Sequence, residues 1–279
     1  MDKLPFDVFF EMVAHLDSKC LNELCICSRD VHHTINIRLP LRKRRIQVCY
    51  LLDATASMSF VMGQLVLFFK ECFTRLHLLY QQARIEIAVV FYWDYDKPSF
   101  RVKYCDFGTS FRDILENLEC VHIDGGGDIP EAEKTGYYTA LSLAWHPYKC
   151  SKFITRVGDA PMHSDLYPTG YDTYGCVEKS FLKENYDAVF LAKQLRKKHI
   201  QVIAIGIINP YDLISNQKHA FMVMMMHAFN CLMVHFSGGI VHAVSDVIDI
   251  IRLVPESMTL LVDSPESHTP SPAPPFGLC

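Results

Sequence analysis

The sequence predicts an α/β protein: a doubly wound, mostly parallel sheet of six strands, preceded by a small helical unit. Three observations carry this. From about residue 45 onward, short apolar runs alternate with longer segments of helical periodicity, the rhythm of strand–helix–strand crossovers. The runs 46–52 and 201–207 are nearly continuous in apolar residues, as in strands covered on both faces. Two of the predicted strands end at aspartates, Asp53 and Asp159, and the carboxyl edge of an open parallel sheet is where ligands bind.

Residues 1–41 read as a separate helical unit. Leu4, Val8, Phe9, Met12, Val13 and Leu16 recur at helical spacing, and Asp17-Ser18 starts a second helix carrying Leu21, Leu24 and Ile26. Cys20, Cys25, Cys27, His32 and His33 follow no common zinc spacing, so the cysteines read as small hydrophobes. A basic run at 42–45 is a solvated linker into residues 42–254, the main domain. Its strands are predicted at 46–52, 84–93, 100–105, 152–157, 201–207 and 232–236. Helices are predicted at 60–80, 110–118, 130–145, 186–199, 212–229 and 243–253. Residues 164–182, rich in Tyr, Gly and Asp, read as a long loop on the ligand edge. Met222, Met224, Met225 and Met226 cannot all face one way on a helix, and most of them read as core filler. From 255 the composition turns to proline without periodicity, which predicts a disordered tail, 255–279.

The first predicted strand breaks at Asp53 into Asp-x-Thr-x-Ser and passes directly into a helix. Asp53, Thr55 and Ser57 alternate, so their oxygens converge on one point, and a set of hard oxygens without sulfur or nitrogen suits Mg²⁺ or Mn²⁺. Two later stretches complete the site. In DGGGDIPE, 124–131, three glycines allow a tight turn and bring up Asp128. In FITRVGDAPMH, 153–163, a predicted strand delivers Asp159. The expected metal set is Asp53, Thr55, Ser57, Asp128 and Asp159. His163 is expected to bond to its own loop, and Tyr171, Asp172 and Tyr174 to form a rim for a partner.

The motifs DATAS, GGGDIPE and GDAPMH, in that order and spacing, resemble the metal-ion-dependent adhesion site of von Willebrand factor A domains over about residues 44–254. Aspartate in the second loop and Asp-Ala-Pro-x-His in the third are similar to the form found in alpha-kinase-associated proteins. The resemblance implies strand order 3-2-1-4-5-6. It also implies direct ligation by the Thr55 and Ser57 hydroxyls, and contact from Asp53 and Asp159 directly or through water. Adhesion-type members carry Thr where this chain has Asp128. That third carboxylate lowers the pull on an acidic partner ligand. Residues 1–41 resemble an F-box: Leu4-Pro5, an acidic residue, an apolar helix, Leu16-Asp17, then Leu21-x-x-Leu24. Val31 departs from that pattern, where an aromatic is usual. An F-box implies docking to the Skp-type adaptor of a cullin–RING ubiquitin ligase.

Composition narrows the functional classes. A net charge of −4 gives no reason to expect nucleic acid. No apolar run of about 18 residues suggests a membrane span, and no signal peptide is read. Eleven cysteines, an odd number spread through predicted core elements, fit free thiols in a reducing compartment. A cytoplasmic location is therefore expected, the basic run being the one feature that would favour the nucleus. A phosphohydrolase of the haloacid dehalogenase type needs a second Asp two residues after the first; that position is Thr55, so the general acid is missing. The glycines form no phosphate-binding P-loop. The reading is a non-enzymatic adaptor that binds a protein target at the metal edge, the alternatives being a scaffold without a ligase link and, third, a Mg²⁺ phosphohydrolase.

Overall fold

A computed structural model describes residues 45–263, apart from 82, 97–101, 109–111, 113, 115, 117–120, 148–149, 169, 209–216 and 246. The F-box-like segment and residues 264–279 lie outside the described residues, as does most of the helix predicted at 110–118.

Six strands form one sheet: β1 (Arg45–Asp53), β2 (Arg84–Tyr92), β3 (Val102–Gly108), β4 (Cys150–Gly158), β5 (Ile200–Ile207) and β6 (Gly239–Val244). Their order is β3-β2-β1-β4-β5-β6, parallel except for β3, which runs antiparallel to β2. The helices are α1 (Ser59–Leu79), α2 (Glu133–Ser142), α3 (Gly175–Leu182), α4 (Ala188–Lys197), α5 (Gln217–Ser237) and α6 (Val247–Asp263).

Alternation along β1 explains the two layers. Val48, Tyr50 and Leu52 face α1 and α6, packing with Phe68, Phe69, Val254 and Met258. Cys49 and Leu51 face the other way, into a core with Tyr137 of α2, Leu191 and Leu195 of α4, and Met233 of α5. The centre of the sheet is buried on both faces, which is why its strands read as unbroken apolar runs.

Four expectations need correction. Residues 232–236 are not a strand: they finish α5, whose buried Met222, Met226, Phe229 and Met233 recur at helical spacing. A short apolar run cannot be told from a buried helical segment by periodicity alone. The chain turns at Gly238, in the left-handed region (φ 77°), whose N–H donates to the Val234 carbonyl at 2.8 Å; β6 follows at once. Second, α6 runs through Pro255 to Asp263, so the first nine residues of the predicted tail are helical. Proline lacks the N–H that would bond the Ile251 carbonyl. The Cys72 thiol lies 3.9 Å from that oxygen, and Met258 and Val262 still find the core. Third, the predicted loop 164–182 contains α3. Fourth, the helix predicted from Pro130 starts at Glu133. Of the four methionines, Met222 and Met226 are buried and Met225 packs against the core, but Met224 is exposed.

Among the described residues one helix, α5, is long and apolar enough to cross a membrane by length and composition. Here it packs on β5, β6 and α4. On the same face α2 lies close against the sheet: a Cβ on Gly136 would stand 2.7 Å from Leu51 Cδ1 and 3.1 Å from Tyr92 Cδ1. Gly136→Ala should therefore destabilise the domain by about 1–3 kcal/mol, the usual range for overpacking, although alanine is the better helix former. Urea unfolding measures it.

Candidate metal centre

Parallel pairing of β1 with β4 sets their carboxyl ends side by side, so Asp53 and Asp159 meet at one edge. The first loop folds on itself. Asp53 Oδ1 accepts from the Thr55 amide at 3.0 Å and the Thr55 hydroxyl at 2.7 Å. The Thr55 and Ser57 hydroxyls lie 3.2 Å apart, and Ser57 donates to Asp159 Oδ1 at 3.0 Å. Four predicted residues thus form one connected set of oxygens. Asp53 and Thr55 are fully buried, Asp159 is half-buried and Ser57 is exposed.

The glycine loop closes over this set. Its Gly125 carbonyl accepts from the Ala56 amide at 3.3 Å. Gly126 is left-handed (φ 88°), and a Cβ there would sit 3.1 Å from Glu131 Oε1 and 3.4 Å from Thr55 Cβ. Only glycine lets the chain pass between those two residues. The loop is then tied to the third one by Glu131, whose amide donates to the Pro161 carbonyl at 2.9 Å and whose carbonyl accepts from the His163 amide at 3.3 Å.

Asp128 stands on the far wall of the cleft. Its Oδ2 accepts from the Thr173 amide, and its carboxylate groups with Asp94 and His163, not with the first loop. Glu131 stands closer to the predicted set. It is 3 % exposed, its Oε2 has no partner, and it lines the same cleft of about 220 Å³ as Ser57, Asp128 and Asp159. Glu131 was read as part of a helix; its position next to the glycine loop was the signal for another role.

Electrostatics make the cluster tense without a cation. Burial, then the Asp159 carboxylate, pushes Asp53 up to about 7 against the hydrogen bonds from Thr55. Burial, then Asp53, Asp94, Asp159 and Asp128, holds Glu131 well above the carboxylate range. Burial raises Asp128 to about 6, opposed by the Thr173 amide. Asp53 Oδ2, Asp128 Oδ1 and Glu131 Oε2 are buried oxygens without a hydrogen bond. Unpaired buried carboxylate oxygens beside two hydroxyls fit a hard divalent cation, so the residues present suit Mg²⁺ or Mn²⁺.

Two buried groups hold the loops in shape. Arg156 of β4, fully buried, donates to the Gly158 carbonyl at 3.0 Å and the Ala160 carbonyl at 2.5 Å, bracketing Asp159. Its charge is balanced by Glu133 at 2.6 Å. A lone arginine in the apolar run before Asp159 was visible in the sequence but not read as functional. His163 is clamped between Asp94 Oδ1 at 3.0 Å and Asp172 Oδ1 at 2.9 Å, so both ring nitrogens are engaged. In the Asp94–Asp128–His163 group the imidazole is thus hydrogen-bonded to carboxylates on both sides. Asp172, expected on a partner rim, instead faces inward and also accepts from the Ser164 and Gly175 amides. Tyr171 packs edge-on against Phe221.

The sequence matches no protein-family model and no curated protein. The structure is similar to solved ones. The pilus adhesin SpaC from Lactobacillus rhamnosus GG superposes with a TM-score of 0.54 at 9 % identity, over 78 % of this chain and 30 % of the adhesin. The conserved hypothetical protein BatB from Bacteroides thetaiotaomicron superposes with a TM-score of 0.52 at 12 % identity, over 78 % of this chain and all of BatB. The fold is von Willebrand factor A-like. This chain spans under a third of the adhesin's length, and at such identities the likeness reaches the fold alone.

His163 also supplies a pH test of the A-like domain. Burial alone would lower it, but the hydrogen bonds to Asp172 and Asp94 win and raise it from 6.5 to about 10. The folded state binds this proton more tightly than the unfolded chain. Its stabilisation is full below pH 6.5 and lost as pH rises through about 10. His163→Gln should therefore be clearly less stable than the parent at pH 6, with a gap that narrows toward pH 10. Urea midpoints at matched pH measure it.

Proposed function

We propose that the A-like domain is a non-enzymatic, metal-dependent protein-interaction module. Asp53, Thr55, Ser57 and Asp159 hold Mg²⁺ or Mn²⁺ at the carboxyl edge of the sheet, with Asp128 and Glu131 on the facing wall. A protein target binds at that edge, and residues 1–41 connect the module to a cullin–RING ubiquitin ligase through a Skp-type adaptor. The observation that carries the metal reading is the buried, unpartnered Asp53 Oδ2, beside Thr55 and linked through the hydroxyls to Asp159.

The residues divide the work by position. The Thr55 and Ser57 hydroxyls bridge Asp53 to Asp159 and place two further oxygens between them. Arg156 fixes the backbone on either side of Asp159. When bound, a divalent ion supplies positive charge that lets the carboxylates ionise together and offers open coordination positions at the surface. Thr55, standing where a phosphohydrolase would need a carboxylic acid, supports an interaction role over a catalytic one.

Calorimetric titration with Mg²⁺ should show binding to the parent chain and none to Asp53→Ala or Asp159→Ala. At about 100 times Kd, bound metal should add roughly 2.7 kcal/mol to stability. Phosphate release lost on Asp53→Asn would overturn the non-enzymatic reading.

The ligase link rests on the sequence of residues 1–41. Capture of the Skp-type adaptor by residues 1–279 and not by 44–279, with or without chelator, is the expected result. Absence of capture by either would leave a metal-dependent scaffold.

A further inference from the structure

We infer that the cleft takes a basic partner: a lysine or arginine side chain flanked by apolar residues, not an acidic one. This deepens the metal reading above and rests on it for the charge count, but the two are separable by experiment.

The charge of the cleft decides the matter. Asp128, Glu131 and Asp159 line it, and buried Asp53 accepts from the Thr55 hydroxyl at 2.7 Å and is linked through Ser57 to Asp159. Four carboxylates around one divalent ion leave two negative charges uncompensated. Nearby cations are already committed. Arg156 is paired with Glu133 at 2.6 Å. His163 sits between Asp94 and Asp172. The Lys134 ammonium stands 3.4 Å over the Tyr186 ring, in the field of the Glu178, Asp165, Asp172 and Asp187 carboxylates. Among the described residues, His219 is the only basic side chain on the lining. A partner carboxylate would enter a field of its own sign, and like-charge contact at a desolvated interface is strongly disfavoured.

A second observation points to a cationic ligand independently of that count. Glu131 is 3 % exposed, lines the cleft and leaves Oε2 without a hydrogen bond. Its backbone already makes the links that tie the second loop to the third. A buried carboxylate oxygen with no partner costs free energy unless something satisfies it. An ammonium or guanidinium entering from solvent supplies the missing donor. The apolar lining residues Ile129, Met222 and Val223 suit the methylene stem of such a side chain. Met222 also adapts to irregular shapes.

The test is selection of a randomised heptapeptide display library on the full chain in Mg²⁺, with parallel selections on Asp128→Asn and Glu131→Gln. Circular dichroism and urea midpoints confirm that each variant is folded. Asp128→Asn serves if Glu131→Gln is not. The expected result is enrichment of Lys or Arg between apolar residues. The selected peptide should bind at least about tenfold more weakly to either variant, as when one partner of a buried charge pair is removed. Enrichment of Asp or Glu, no charge preference, or no enrichment at all would overturn the inference. Titration with Mg²⁺ alone separates the two readings. If no metal binds and basic peptides are still selected, the metal reading fails and this one stands. Two ions bound per chain would neutralise the cleft and overturn this one.

Discussion

The structure depends on one constraint: parallel pairing of two central strands forces carboxylates together at a single edge. β1 and β4 are neighbours and end in step, so Asp53 and Asp159 meet whatever else the chain does. The glycine loop then adds Asp128 and Glu131 from above. Burial first, then neighbouring carboxylates, shifts Asp53 and Glu131 upward, and burial raises Asp128. Arg156 finds Glu133 and three carbonyls, and His163 finds two carboxylates. Asp128 and Glu131, each with a buried unpartnered oxygen, line a cleft that a ligand can enter.

Much of this was legible in the sequence because it is local. A buried parallel strand needs a continuous apolar run, so β1, β2, β4 and β5 stood out. The Asp53–Thr55–Ser57 loop is a matter of spacing alone. What failed to read was decided by distant partners. Residues 232–236 suit a strand or a helix equally well, and the seat of Met233 against the α4 face made them helix. Pro255 marks a helix end by propensity, yet Met258 and Val262 had core positions to fill, and packing outweighed the lost hydrogen bond.

The site shows the same division. Spacing named five residues, and four of them share one hydrogen-bonded set. Asp128 lines the cleft, but its carboxylate groups with Asp94 and with a histidine no local pattern connects with it. Glu131 was hidden because Pro-Glu beside small residues looks like a helix start. Its true position follows from the backbone bridge to Met162, a contact 31 residues distant in sequence. Asp172 resembled a surface loop residue, and only the buried His163 ring explains why it faces inward.

The proposed divalent ion sits among Asp53, Thr55, Ser57 and Asp159. Anomalous diffraction from crystals grown with Mn²⁺ tests it most directly. A peak within coordination distance of the Ser57 and Thr55 hydroxyls, absent from Asp53→Ala crystals, is the result the account predicts. A peak among Asp94, Asp128 and His163 instead, or none at either place, would contradict it.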